Sequence, residues 1–191
     1  MRPGAGYAVG VAGVSIRRAA PGDAAALVAL ARSIAAEPGA WLLTDATWRS
    51  AADERRYLRA VRSSPHAAVL VAVTPCGELV GRLSIARDQH PSSPHVADLG
   101  IMVAETERRQ GIGRALLAAA ADWARDVGIS KLELHVFPHN TAAIALYEGL
   151  GYEREGVRCA HYVRAGELVD VVVMALQLGG GGAPAARPAP R

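Results

Sequence analysis

Lysine is almost missing from this chain: of 21 basic residues only Lys131 is a lysine, and the rest are arginines. A P-loop needs GxxxxGK[ST] so that an ammonium can reach the phosphates, and Lys131 follows Ser130 with no such glycine before it. A nucleotide triphosphatase of that type is excluded. Cysteine is nearly as scarce. Cys76 and Cys159 could make one bridge at most, and they have neither CxxC spacing nor the density of a disulfide-stapled secreted domain. A reducing cytoplasm is the expected setting. No apolar run approaches the ~20 residues of a membrane helix, and Gly4, Gly6, Gly10 and Gly13 interrupt the apolar start of the chain. Neither a membrane span nor a signal peptide is read. HExxH and paired cysteines are absent, so no metal shell is expected although His135 and His139 stand four apart. No GxSxG elbow exists, which argues against an α/β-hydrolase.

What is present fits one globular domain, or at most two, with 51% apolar and 20% charged residues. The formal net charge is +3, but Arg187 and Arg191 sit in a tail without acids, which leaves +1 on residues 1–178. That is no basic face for nucleic acid. Residues 1–13 are expected to be a flexible leader, 14–178 the folded domain, and 179–191 a disordered Gly/Pro/Ala tail.

Within the domain, 14–18 is a short strand, and an Ala/Leu-rich helix opens at Gly22-Asp23 and ends at Pro38-Gly39. Residues 45–61 form a second expected helix, with Trp48, Ala52, Tyr57 and Val61 on its partly apolar side. Residues 67–73 and 79–85 are apolar runs joined by a turn composition, Thr74-Pro75-Cys76-Gly77, and read as an antiparallel hairpin. A third apolar run is 96–103. Helix 111–127 has the best periodicity, with Ile112, Leu116, Ala119, Trp123 and Val127 on one stripe and Arg114, Asp122, Arg125 and Asp126 on another. A strand at 132–137, a helix at 141–150 and a strand pair 152–162 with 168–178 follow. The unit 96–137 calls for a right-handed crossover and two parallel strands. The expected fold is α/β, a mixed sheet of about seven strands with helices on both faces.

Between the third apolar run and the best helix lies Arg108-Arg109-Gln110-Gly111-Ile112-Gly113-Arg114. Glycines let the backbone turn sharply and approach a ligand, and the first N–H groups of the helix have no intrahelical partner, so the segment is a candidate phosphate site. A Rossmann fingerprint fits poorly, since Leu116 occupies the third glycine position.

The stretches VADLGIMVAETERRQGIGRALL and LELHVFPHNTAAIALYEGLGYEREG resemble the GCN5-related N-acetyltransferase (GNAT) superfamily. Its phosphate motif is matched by Arg108, Gly111 and Gly113, and its Asn-x-x-Ala-x-x-x-Tyr pattern by Asn140, Ala143 and Tyr147. In detail the chain is similar to bacterial L-amino-acid N-acetyltransferases and to ribosomal-protein alanine N-acetyltransferases. The resemblance implies a sheet splayed between strands 96–103 and 132–137, with acetyl-coenzyme A in the gap and no metal. Its pyrophosphate would lie on the N–H groups of Arg109 to Arg114, reinforced by the helix dipole. Backbone groups of Met102 and Val103 would bond the pantetheine arm, and so would Asn140, which on its own reads equally as a helix N-cap. Tyr147 would sit by the thioester sulfur as acid or anchor; the bland alternative is a tyrosine packed with Ile144 and Leu150.

The reaction needs an amine without its extra proton. His135, five residues before Asn140, and Asp98, an acid inside an apolar run, are the candidate bases, with a water relay as the third option; Glu133 shares the alternation face of His135 and ranks below them. The implied function is acetyl-CoA-dependent transfer to a primary amine, a free amino acid or small metabolite. Acetylation of a protein N-terminus, such as that of a ribosomal protein, is the alternative, and a noncatalytic coenzyme A binding module is the alternative of another class. Trp41, Trp48 and Tyr57 are candidates for the acceptor site or simply for the core. A homodimer is expected from the family and from the strands near the C-terminus.

Overall fold

The computed structural model describes residues 7–11, 13–39, 42, 49–164 and 166–179. Eight strands form one sheet: β1 (Tyr7–Val11), β2 (Val14–Arg18), β3 (Ala67–Val73), β4 (Leu79–Arg87), β5 (Val96–Val103), β6 (Lys131–Val136), β7 (Glu153–Arg164) and β8 (Glu167–Gln177), in the order β1-β2-β3-β4-β5-β6-β8-β7. Four α-helices are α1 (Ala24–Ala35), α2 (Ala51–Ser63), α3 (Ile112–Asp126) and α4 (Thr141–Glu148), with single 3-10 turns at Pro21–Asp23 and Glu105–Glu107. Among the described residues only β5 and β6 run parallel, joined by the crossover through α3; every other neighbouring pair is antiparallel.

Both faces of the sheet centre are buried, which is why β3 reads as an unbroken apolar run rather than an alternating one. Ala68, Leu70 and Ala72 point to the α3 face, where Leu116, Ala119, Ala120 and Trp123 meet them in the main core. Val69 and Val71 point the other way, onto Leu27 of α1 and Leu58 and Val61 of α2. Leu27, Leu70 and Leu116 are fully buried, and each such side chain contributes about 1.5–3 kcal/mol of transfer free energy.

Two expectations needed correction. Tyr7–Val11, read as part of a flexible leader, is a strand paired with β2. Helix α2 begins at Ala51 rather than at residue 45, because Ser50 is extended and its Oγ accepts from the Asp53 N–H at 3.1 Å as an N-cap. Among the described residues no helix is long and apolar enough to cross a membrane, and Cys76 and Cys159 are free thiols at exposed positions.

Candidate active site in the parted strands

The strands β5 and β6 pair over only three positions, Val96 with Lys131, Ala97 with Leu132 and Asp98 with Glu133. Beyond that, residues 134–136 of β6 pair with β8, and residues 99–103 of β5 keep β4 alone as a partner. A wedge therefore opens between two neighbouring strands. Antiparallel pairing fixes which backbone groups look into it, because hydrogen-bonded and open residues alternate. The Ala104 N–H bonds Val80 and the Asp88 N–H bonds Val96, so the even-numbered residues of β5, Met102 included, turn their N–H and C=O groups to β4. Leu99, Ile101 and Val103 face the wedge. Of the two residues expected to bond a pantetheine arm, Val103 turns its backbone groups to the wedge and Met102 turns its own to β4; the side chain of Met102 packs with Leu30, Ala31 and Ile34 of α1. Register, invisible in one strand's sequence, decides this.

At the mouth of the wedge the chain turns into α3. Arg109 has φ 63° and Gly111 φ 85°, and Gly111 is the helix N-cap. The first intrahelical bond runs from Ala115 N–H to Gly111 C=O at 3.0 Å, which leaves the N–H groups of Ile112, Gly113 and Arg114 without helical acceptors. Two left-handed residues separated by one make a concave run of donors, suited to an anion. Gly111 is required twice over, since a Cβ there would lie 2.7 Å from Val11 Cγ1 of β1. Gly111→Ala should cost about 1–2 kcal/mol for its left-handed backbone alone, a Tm about 2–8 °C lower by scanning calorimetry, together with weakened coenzyme A affinity. A Cβ on Gly113 would lie 3.0 Å from Leu146 Cδ2 and 3.9 Å from Ile101 Cδ1, so β5, α3 and α4 converge on this glycine.

The side chains of the motif behave differently from its backbone. Gln110 folds back, its Nε2 donating to the Thr106 carbonyl at 3.3 Å. Arg114 reaches the C-terminal end of α4, with Nη2 3.7 Å from where a Gly149 Cβ would be. Arg108, a motif residue expected at the phosphates, donates through Nε to the Val103 carbonyl at 3.1 Å and through Nη2 to Glu37 Oε1 at 2.7 Å.

Asp98, Glu133 and His135 lie on the face opposite α3, since Leu132, Leu134 and Val136 point into the main core. Asp98 and Glu133 form the last pair before the strands part, and His135 lies inside the parted stretch. Glu133 is engaged by Lys131 at 3.3 Å and Arg158 at 3.6 Å. Asp98 has no ion pair among the described residues. Although its position is exposed, partial burial first, then the negative charges of Glu133 and Asp88, hold its carboxyl above the ordinary value. His135 Nδ1 lies 3.1 Å from the Tyr162 hydroxyl, its ring meets His161 edge-on at 5.6 Å, and its Nε2 is buried with no partner. Burial and the charge of Arg158 push its pKa below the ordinary 6.5, so the ring is neutral at pH 7. Tyr162 was not a candidate from the sequence; it reaches His135 through the irregular β7, where the register shifts between Arg158 and Tyr162.

Asn140 caps α4, its Oδ1 accepting from the Ala143 N–H at 3.2 Å. Tyr147, also on α4, is buried in the main core, its ring 5.7 Å from that of Tyr152. Burial drives its hydroxyl pKa well up, so it stays protonated at any working pH. Trp41 and Trp48 lie outside the described residues; Tyr57 packs between α2 and β3, with the Arg49 guanidinium 4.4 Å over its ring.

The sequence model of the acetyltransferase (GNAT) family matches residues 35–152. The chain belongs to that family. Three curated relatives are an L-amino acid N-acetyltransferase of Escherichia coli (strain K12), 37% identical over 52% of this chain and 62% of its own length, a mycothiol acetyltransferase of Salinispora arenicola (strain CNS-205), 35% identical over 74% and 45%, and a ribosomal protein bS18 alanine N-acetyltransferase of Escherichia coli (strain K12), 41% identical over 37% and 48%. The chain thus spans about half the length of the curated relatives it matches. Among solved structures, a GNAT-family acetyltransferase from Streptococcus pneumoniae is 30% identical with a TM-score of 0.78, covering 86% of this chain and 99% of that one.

Read as a GNAT site, the wedge passes a test of fit for coenzyme A. Free N–H groups at α3 suit its phosphates, the open backbone of Ile101 and the N–H of Val103 suit an arm carrying amides, and Gly111 and Gly113 leave room for close approach.

Proposed function

We propose that this protein is an acetyl-CoA-dependent N-acetyltransferase whose acceptor is the primary amine of a free amino acid or a similarly small metabolite. The observation that carries the proposal is the three-residue pairing of β5 with β6, which opens a wedge beside the uncapped donors of α3. The 37% identity to an L-amino acid N-acetyltransferase supports the small acceptor, and the 41% identity over a shorter stretch to a ribosomal-protein alanine N-acetyltransferase supports a protein N-terminus as the second reading. Placement in the cytoplasm belongs to the same proposal, as does a homodimer through the edge of β7, whose support is the exposure of Val157, Val163 and Leu168.

Acetyl-coenzyme A supplies an activated acetyl thioester. In the proposed mechanism Ile112, Gly113 and Arg114 N–H groups hold its phosphates, and Ile101 and Val103 hold its arm as a neighbouring strand would. An acceptor ammonium gives its extra proton to His135 Nε2 or the Asp98 carboxylate; the freed lone pair forms the new C–N bond as the C–S bond breaks, and a second proton from that nitrogen passes to the departing thiolate, leaving the amide and free coenzyme A. Tyr147 offers its O–H to the departing sulfur. Purified protein should release thiol from acetyl-CoA with free amino acids and give little with short peptides. Release with peptides alone would move the acceptor to a protein N-terminus, and coenzyme A binding with no release for any amine would leave a binding module.

A further inference from the structure

We propose that Glu37 and Arg108 form a latch that holds the segment following α1 across the wedge, making them positioning residues for the acceptor amine. The inference builds on the transferase reading and gives Arg108 a role other than a phosphate contact. The two residues are 71 positions apart, yet Arg108 Nη2 and Glu37 Oε1 meet at 2.7 Å while Arg108 Nε holds the Val103 carbonyl at the end of β5. Two residues on, the Gly39 carbonyl accepts from His139 Nε2 at 3.1 Å, and the His139 ring stacks at 5.3 Å on Phe137, the residue that follows β6. Residues 37–39 are therefore tied to both strands that part. Ile34 of α1 packs with Met102 of β5, which puts the tie on the face that carries Asp98 and His135.

The Glu37 side chain is only 8% exposed, and its Oε2 is buried with no hydrogen-bond partner. A carboxylate oxygen in that state is costly until a donor reaches it. The guanidinium fixes one oxygen and so aims the other. An amine still carrying its extra proton is a donor of matching charge, and Oε2 receives it as the acceptor docks beneath the segment.

The test compares E37Q, R108Q and the double variant in three measurements: coenzyme A affinity by calorimetry, KM for the amine with the fastest thiol release, and hydrogen exchange of residues 34–39. Losing one charge-assisted bond predicts about a tenfold higher amine KM in either single variant. Coenzyme A affinity should stay within about twofold in E37Q, whose side chain meets Arg108 and none of the backbone groups assigned to the coenzyme. The double variant should be no worse than the worse single, and exchange should quicken in 34–39 but not in α3. Weaker coenzyme A binding in R108Q with an unchanged amine KM in E37Q would make Arg108 a support of the coenzyme site alone and overturn the latch. Unchanged exchange and unchanged amine KM would overturn it as well. Should the parent protein turn over no amine, the transferase reading fails on that result, and exchange alone still decides whether the latch exists.

Discussion

Tyr147→Phe should lower kcat about 10- to 100-fold while leaving KM for acetyl-CoA nearly unchanged, the cost of one hydrogen bond to a developing anion. The size follows from acidity. A thiol ionises near pH ~8.5 and a free tyrosine near ~10, so moving the proton from tyrosine to thiolate already runs uphill in water. Burial carries the Tyr147 hydroxyl further in the same direction. The hydroxyl is thus better suited to stabilise the leaving sulfur by donation than to give up its proton. Full proton transfer would show as a loss above about 10³-fold. Steady-state kinetics of the two proteins from pH 6 to 10 separate the cases. Because Tyr147 also packs on Tyr152 within the core, a melting curve must show that the variant is folded before its rate is read.

The helix that carries the candidate phosphate site was legible because everything that makes it is local. Its apolar stripe repeats at helical spacing, and Ile112, Leu116, Ala119 and Trp123 are all buried as that stripe demands. The parallel crossover followed from the strand-helix-strand order. What escaped was whatever depends on two distant segments meeting. Tyr7–Val11, five residues that include Gly10, has little strand signal of its own and is a strand because β2 offers it an edge. Met102 looked as good a backbone ligand as Val103 until pairing with Arg82 on β4 fixed its direction. Glu37 and Tyr162 are single polar residues in unremarkable surroundings, and each acquires meaning only by touching Arg108 or His135 across the fold. The same limit explains the buried Glu54, which lies between Arg82 at 3.4 Å and Arg49 at 3.5 Å and left no mark in the helical pattern.

His135→Gln should reduce kcat/KM about 10²-fold if Nε2 receives the amine's proton, whereas Asp98→Asn should then cost far less. The reasons are position and lone pair. His135 stands inside the parted stretch, its Nδ1 is engaged by Tyr162, and its Nε2 is the buried nitrogen left without a partner. When Nδ1 carries the proton and donates it to the Tyr162 oxygen, Nε2 keeps its lone pair free. Tyr162→Phe removes that support and should lower the rate in the same direction by a smaller factor. A large loss in Asp98→Asn with His135→Gln near normal would assign the base to Asp98 instead. The pH dependence supplies an independent sign. His135 is held below its ordinary pKa of 6.5 by burial and Arg158, so between that value and the folded one the unfolded chain binds the extra proton and the folded chain does not. Stability from this group is complete above pH 6.5 and falls as pH drops through the folded pKa. His135→Gln, with nothing to titrate, should flatten that part of the curve in urea titrations between pH 5 and 7. Activity at the acid end must therefore be measured where both proteins remain folded, and an acid limb that persists in His135→Gln but is lost in Asp98→Asn would belong to Asp98, whose carboxyl is held above its ordinary value by burial and by the charges of Glu133 and Asp88.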